Sequence, residues 1–104
     1  MQTLIRKVED WAVHKKLMYA HNAPQQAGKV REEAEELEAE VRNHILMGDD
    51  NVQSVKSELG DVFVTIIILA AQLGLDIEDC LGVAYEKISK RKGETVNGLF
   101  IKDE

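Results

Sequence analysis

The chain has 104 residues, which suits a single domain over residues 1–104 burying about two-thirds of its unfolded surface. Nineteen acidic residues against 13 basic ones give a formal net charge of −6. This excludes a general binder of nucleic-acid polymers, which needs a basic face to neutralise phosphates.

One proline, seven glycines and 5% aromatics leave little to interrupt long helices, and strand-like alternation is hard to find. Four helices are expected. The first covers residues 3–20, with Leu4, Val8, Trp11 or Ala12, and Leu17 or Met18 near helical spacing. Asn22-Ala23-Pro24 breaks it; Asn22 can cap the next helix, whose first turn tolerates Pro24.

The second helix covers residues 24–47, with an apolar stripe of Ala27, Val30, Ala34, Leu37, Val41 and Ile45. Gly48-Asp49-Asp50-Asn51 reads as a turn, with Gly48 at the helix C′ position and Asp50 or Asn51 capping the third helix. That helix covers residues 52–73, with Val55, Leu59, Val62, Ile66, Leu69 and Leu73 in its stripe. Beyond Asp61 it is apolar on nearly every face. Such a helix must be covered on all sides, so a homodimer or homotetramer is expected.

Its most apolar run, residues 62–71, is too short for a bilayer, which needs about 20 residues; no membrane is expected. Gly74 ends the third helix and Asp76 caps a fourth, over residues 77–91, that buries Ile77, Leu81, Ala84 or Tyr85, and Ile88. Gly93 closes it, and the apolar tail residues Val96, Leu99, Phe100 and Ile101 dock on the body or a partner. The lone Cys80 cannot form an internal disulfide. The N-terminus lacks the apolar core of a signal peptide, so the expected location is cytoplasmic.

The second and third helices share a repeat. Val30-x-x-Glu33-Ala34-x-Glu36-Leu37 matches Val55-x-x-Glu58-Leu59-x-Asp61-Val62, 25 residues later. At about 100° per residue, each helix carries two carboxylates one turn apart, at the edge of its apolar stripe. In the simplest hairpin the two pairs lie at different levels, so an offset or bend must bring them together. A run of glutamates is usually a solvated face. Glu58 and Asp61, however, lie beside the most apolar segment of the chain, where acids need a reason. Four converging carboxylates would repel and partly protonate. A hard divalent cation resolves this, and Mg²⁺ is usual where phosphates complete the shell.

Glu32-Glu33-Ala34-Glu35-Glu36, followed by Glu58-Leu59-Gly60-Asp61, resembles the E-E-x-x-E and E-x-x-D motifs of the MazG-like nucleotide pyrophosphohydrolases. The flanking Lys29-Val30-Arg31 and Val62-Phe63 resemble them too, and the likeness covers about residues 24–92. It implies an all-α, four-helix MazG-like bundle completed by homo-oligomerisation. It further implies Mg²⁺-dependent hydrolysis, with Mn²⁺ as a possible substitute, of a nucleoside triphosphate to monophosphate and pyrophosphate, in house-cleaning or nucleotide-pool control. By motif position Glu33, Glu36, Glu58 and Asp61 would be metal ligands. Glu32 and Glu33 would be catalytic, Glu32 holding a further metal or activating water.

Substrate contacts are expected from Lys87 and Arg91, one turn apart at the end of the fourth helix, where Arg suits phosphate oxygens. Lys90 and Lys92 can equally answer the helix dipole. Lys29 is a phosphate contact or only an intrahelical ion-pair partner. Trp11 can stack on a base or serve the core; Gln25 or Gln26 can read a base edge, and Asn97 is a similar candidate. His14 and His21 read as surface or loop residues and His44 as helix surface. Family members often carry a basic residue where this chain has Ser54. The alternative function is a non-catalytic helical oligomer that binds metal or nucleotide as a sensor or partner module.

Overall fold

The computed structural model describes residues 2–47 and 51–103. Four helices occur in order: α1 (Gln2–His14), α2 (Ala23–Met47), α3 (Val52–Gln72) and α4 (Ile77–Ile88). An antiparallel hairpin of β1 (Gly93–Val96) and β2 (Leu99–Lys102) completes the chain. The fold is all-α, as the sequence indicates. The expected turn at Gly48-Asp49-Asp50, with Gly48 at C′ and Asp50 as a cap, lies outside the described residues.

The first helix stops at His14, six residues short of expectation. Lys16 N–H donates to the Val13 carbonyl and Leu17 N–H to the Ala12 carbonyl, both at 3.0 Å. This is a Schellman closure. It puts Lys16 at φ 60°, a left-handed conformation that costs a residue with a Cβ about 1 kcal/mol. The same closure ends α3, where Leu75 N–H reaches the Ala70 carbonyl at 2.8 Å, but there Gly74 holds the left-handed place at φ 70°. Lys16→Gly is therefore expected to stabilise the fold by about 0.5 kcal/mol, after the entropy that glycine adds to the unfolded chain. A thermal melt reads it as a rise of a few degrees; an unchanged or lower midpoint would show that Lys16 carries no strain.

The antiparallel pair α2 and α3 forms the body, and α1 packs on the opposite side of α3. Ile5, Val8 and Ala12 face inward, Ala12 with 0% of its surface exposed, while Leu4 is 65% exposed. The inward row of α1 is thus the expected one at Val8 and Ala12, with Ile5 in place of Leu4 and Ala12 taken over Trp11. Ile67, Ile68 and Ala70 of α3 are buried. Gln72 is buried too, and its Nε2 donates to the Leu17 carbonyl at 2.7 Å, anchoring the chain where it leaves α1.

Between α2 and α3 the inward positions follow a strict heptad. On α2 they are Ala23, Gln26, Val30, Glu33, Leu37, Glu40 and His44; on α3 they are Asn51, Val55, Glu58, Val62, Thr65, Leu69 and Gln72. Apolar and polar residues alternate along the row, apart from His44. Of the expected stripes, Ala27, Ala34, Val41 and Ile45 on α2 and Leu59 and Leu73 on α3 are exposed. Of the four acids, Glu33 and Glu58 occupy the seam itself, while Glu36 and Asp61 are exposed at its edge.

Across a bend of 102° from α3, α4 begins with Asp76, whose carboxylate accepts from the Glu78 N–H at 3.0 Å, as expected of a cap. It ends at Ile88, and Gly93 opens a strand instead of closing the helix. Because α4 swings away, Leu81 and Ile88 are exposed, contrary to the burial expected for them; Ile77 is half-buried, and of the alternatives Ala84 and Tyr85 it is Ala84 that is half-buried. The hairpin turns at Asn97 (φ 51°) and Gly98 (φ 80°), a two-residue turn with both φ values positive, which Asn-Gly favours. Every hairpin residue is exposed, so the tail does not dock on the body. Among the described residues, no single helix is long and apolar enough to cross a membrane.

The chain exposes 8288 Å², whereas a folded monomer of 11.7 kDa is expected to expose about 5,900 Å². Its radius of gyration, 16.2 Å, likewise exceeds the ~13 Å of a folded domain this long.

Candidate metal centre

Glu33 and Glu36 lie one turn apart on α2, and Glu58 faces them from the middle of α3. One carboxylate oxygen of each lies within 4.8 Å of the others. Glu33 and Glu58 are half-buried in the seam, and Glu36 stands at its exposed side. Asp61 is not within that trio, yet it is near enough for its charge to act on both Glu33 and Glu58.

Convergence depends on where α3 starts. Asn51 precedes α3, but its side chain does not cap that helix. Its Nδ2 reaches back to the Glu40 carbonyl and to Glu40 Oε2, each at 3.1 Å. Its Oδ1 accepts from His44 Nδ1 at 3.1 Å. His44, read from sequence as helix surface, is thus half-buried and engaged. The start of α3 lies beside Glu40 and not beside Met47, so Glu58, seven residues on, is level with Glu33, seven residues back. The level mismatch of the simplest hairpin disappears because α2 overshoots the start of its partner by two turns.

Burial is the first reason that the Glu33 carboxyl titrates above its ordinary value; repulsion from Glu36 comes next, then a proton that Glu36 can share, then the charges of Asp61 and Glu58. Glu58 is raised first by burial, then by Glu36 and Asp61, and lastly by Glu40. The Oε2 atoms of Glu33 and Glu58 are buried without a hydrogen-bond partner. Buried acceptors are normally satisfied. Two buried carboxylate oxygens without partners, on residues whose carboxylates converge within 4.8 Å, suit a hard cation, and the residues present fit such an ion.

A family model, the MazG nucleotide pyrophosphohydrolase domain, matches residues 25–96, more than two-thirds of the chain, and takes in every member of this cluster. The chain belongs to the MazG nucleotide pyrophosphohydrolase family. Comparison with curated proteins and with solved structures finds no match. Family membership carries the nucleotide-hydrolysing class and its metal dependence in general terms; the trio supplies the matching acidic cluster.

The other candidate residues are not gathered at the trio. Glu32 is exposed and paired with Lys29 at 3.5 Å, so Lys29 makes the intrahelical ion pair, with Glu32 as its partner. Gln26 is half-buried and donates to the Thr65 carbonyl at 3.1 Å, which takes it from any base edge; Gln25 remains exposed. Trp11 is 50% exposed, so it is not core; it flanks a shallow apolar recess with Leu4, Val8 and Val64.

Fourteen residues of α3, about 21 Å of helix, separate Glu58 from Gln72, and α4 then departs at 102°. Lys87 and Arg91 are exposed, on and just beyond that departing helix. Arg91 also lies beyond the helix, its N–H bonded to the Ile88 carbonyl at 3.1 Å, so the shared helical face expected for the two is not formed. Lys90 pairs with Glu86 at 2.7 Å. Asn97 is a turn residue.

Sequence reasoning missed Glu40, and gave Gln26 and Asn51 other roles, a base contact and a helix cap. Their signal was present: Gln26, Glu33 and Glu40 recur every seven residues, as do Asn51, Glu58, Thr65 and Gln72.

Proposed function

We propose that this chain is a Mg²⁺-dependent nucleoside triphosphate pyrophosphohydrolase. It cleaves between the α and β phosphates and releases a nucleoside monophosphate and pyrophosphate. The observation that carries this reading is the two orphaned, buried oxygens of Glu33 and Glu58, in a trio completed by Glu36, within a chain of this family. When bound, the cation would orient the triphosphate, offset developing charge and make a water more acidic; Mn²⁺ would substitute.

The chain's own residues would divide the work. Glu33 and Glu58 hold the ion from the seam, Glu36 from the open side, and Asp61 joins on the α3 side. Glu32, free to leave its weak surface pairing with Lys29, holds a further metal or takes the proton of the attacking water. Lys29, Lys87 and Arg91 bind phosphate oxygens, Trp11 stacks on the base and Gln25 contacts base or sugar. Since Lys87 and Arg91 lie on and just beyond the departing α4, these two would serve a site across a subunit contact.

A homodimer or homotetramer is implied by the surface that one chain leaves open. The excess of about 2,400 Å² over a folded monomer matches what a large obligate interface removes from each partner. A groove of about 560 Å³ lined by Leu4, Ile5, Val8, Phe63, Val64 and Leu81 offers it a place.

A panel of ribo- and deoxyribonucleoside triphosphates with Mg²⁺ tests the reaction. Pyrophosphate and monophosphate are expected in equal amounts, with no orthophosphate. Folded, metal-loaded protein that turns over no member of the panel would refute the proposal.

A further inference from the structure

The heptad seam of α2 and α3 is nearly degenerate in register. The observed alignment pairs Gln26 with Thr65 and Asn51 with Glu40 through hydrogen bonds, and sets Glu33 opposite Glu58 between them. The residue numbers of every such rung total 91. A hairpin that began α3 level with the end of α2 would slide the helices by one heptad. Apolar residues would still meet, with Val30 against Leu69 and Leu37 against Val62. The acids would not: Glu33 would face Thr65, and Glu58 would face Glu40. Two of the three apolar layers survive the slide, while Ala23 loses Leu69 and Val55 meets His44, so apolar packing favours the register that builds the trio by only one small layer. Repulsion among Glu33, Glu36 and Glu58 also works against the observed one.

The polar rungs settle the register. In helix pairs with repeating apolar layers, a buried carboxamide is the best-attested device for fixing register. Here two half-buried ones stand seven residues from the acids on either side. Asn51 is satisfied only beside Glu40, where it meets the backbone carbonyl, the Glu40 carboxylate and His44 at once. Gln26 is half-buried at the opposite end and donates to the Thr65 carbonyl.

We propose that Gln26 and Asn51 are positioning residues that lock α2 and α3 in the one heptad register where Glu33 and Glu58 share a pocket. Its consequence for metal binding rests on the proposed metal centre; the register itself does not.

The test uses the full chain with Cys80→Ser, and nitroxide labels at Glu38→Cys and Gln53→Cys. Both sites are exposed and lie on the same level in the observed register. Pulsed electron resonance measures their separation without metal, and Mn²⁺ titration measures affinity in the unlabelled protein. The parent is expected to give one narrow distance. Gln26→Ala/Asn51→Ala is expected to add a population displaced by about 10 Å along the axis, one heptad of rise. Its Mn²⁺ affinity should be at least about 10-fold weaker, as for loss of groups that support metal ligands, and saturating Mn²⁺ should restore the narrow distance.

A folded double variant with the parent's distance and affinity overturns the proposal. If the double variant does not fold, Asn51→Ala and Gln26→Ala singly decide the matter: a broadened distance in either supports it, and parental distances in both overturn it. If the parent binds no Mn²⁺ at all, the metal centre fails while the distances still judge the register.

Discussion

Glu58→Gln is expected to reduce pyrophosphate release at least about 100-fold while leaving the helices intact and raising the melting temperature of the metal-free protein. The substitution keeps the shape of the side chain and removes its charge. Groups that merely support metal ligands cost 10–100-fold when lost, so one that supplies an orphaned buried oxygen should cost more. Stability moves the other way because Glu58 is half-buried, without a hydrogen bond at Oε2, and repelled by Glu36, Asp61 and Glu40; the amide ends that repulsion. Opposite signs on activity and stability distinguish a ligand from a scaffold residue. Steady-state pyrophosphate assays beside circular-dichroism melts in EDTA read both. Retention of more than a tenth of the parent's activity would remove Glu58 from the site, and a Glu58→Gln protein with a lower metal-free midpoint would show that its charge is compensated.

The parts of this molecule legible in the sequence are those set by local chemistry. Asp76 stands where its carboxylate meets the Glu78 N–H, Gly74 stands where φ is positive, and the acids recur at fixed spacing in two long helices. The illegible parts depended on which of two nearly equal alternatives the tertiary structure selects. Apolar spacing on α2 favoured Ala27, Ala34, Val41 and Ile45, whereas the seam took Gln26, Glu33, Glu40 and His44, one position away. Hydrophobicity alone cannot anticipate a seam whose alternate layers are polar. The end of α1 was hidden because lysine occupies a position where glycine usually signals a stop. The hairpin was legible after all: Asn97-Gly98 between Gly93-Glu94-Thr95-Val96 and Leu99-Phe100-Ile101-Lys102 is a strong short-range turn signal, masked by the expectation of a helical chain. The meeting of the acid pairs needed a register that only Asn51 and Gln26 disclose.

The charge that would make this pocket a cation site should also make metal-free protein sensitive to pH in an unusual direction. Glu33 and Glu58 both titrate above the ordinary carboxylate value of 4.5, burial being the leading cause in each. Between 4.5 and their raised values the folded chain therefore holds more protons at these groups than the unfolded chain does. Stability from such a pair is full below 4.5 and is lost as pH rises through the raised values. This is the reverse of the usual ion-paired carboxylate.

Comparing wild type with Glu33→Gln/Glu58→Gln in EDTA isolates the effect, because contributions from the remaining groups largely cancel. The variant's advantage in melting temperature should be small near pH 4.5, grow as pH rises through the raised values, and then level off. Mg²⁺ should erase it by stabilising only the wild type, by about 2.7 kcal/mol at a hundredfold excess over the dissociation constant. Because the ligands must be ionised, Mg²⁺ uptake near the raised values should release protons, which a weakly buffered titration detects. An advantage that does not change with pH would mean that the two carboxyls are as free in the folded chain as in the unfolded one. Repulsion stored in the empty pocket and affinity for a cation are then one quantity seen from two sides: the same crowding of Glu33, Glu36 and Glu58 that costs stability without metal is what a divalent ion relieves on entering.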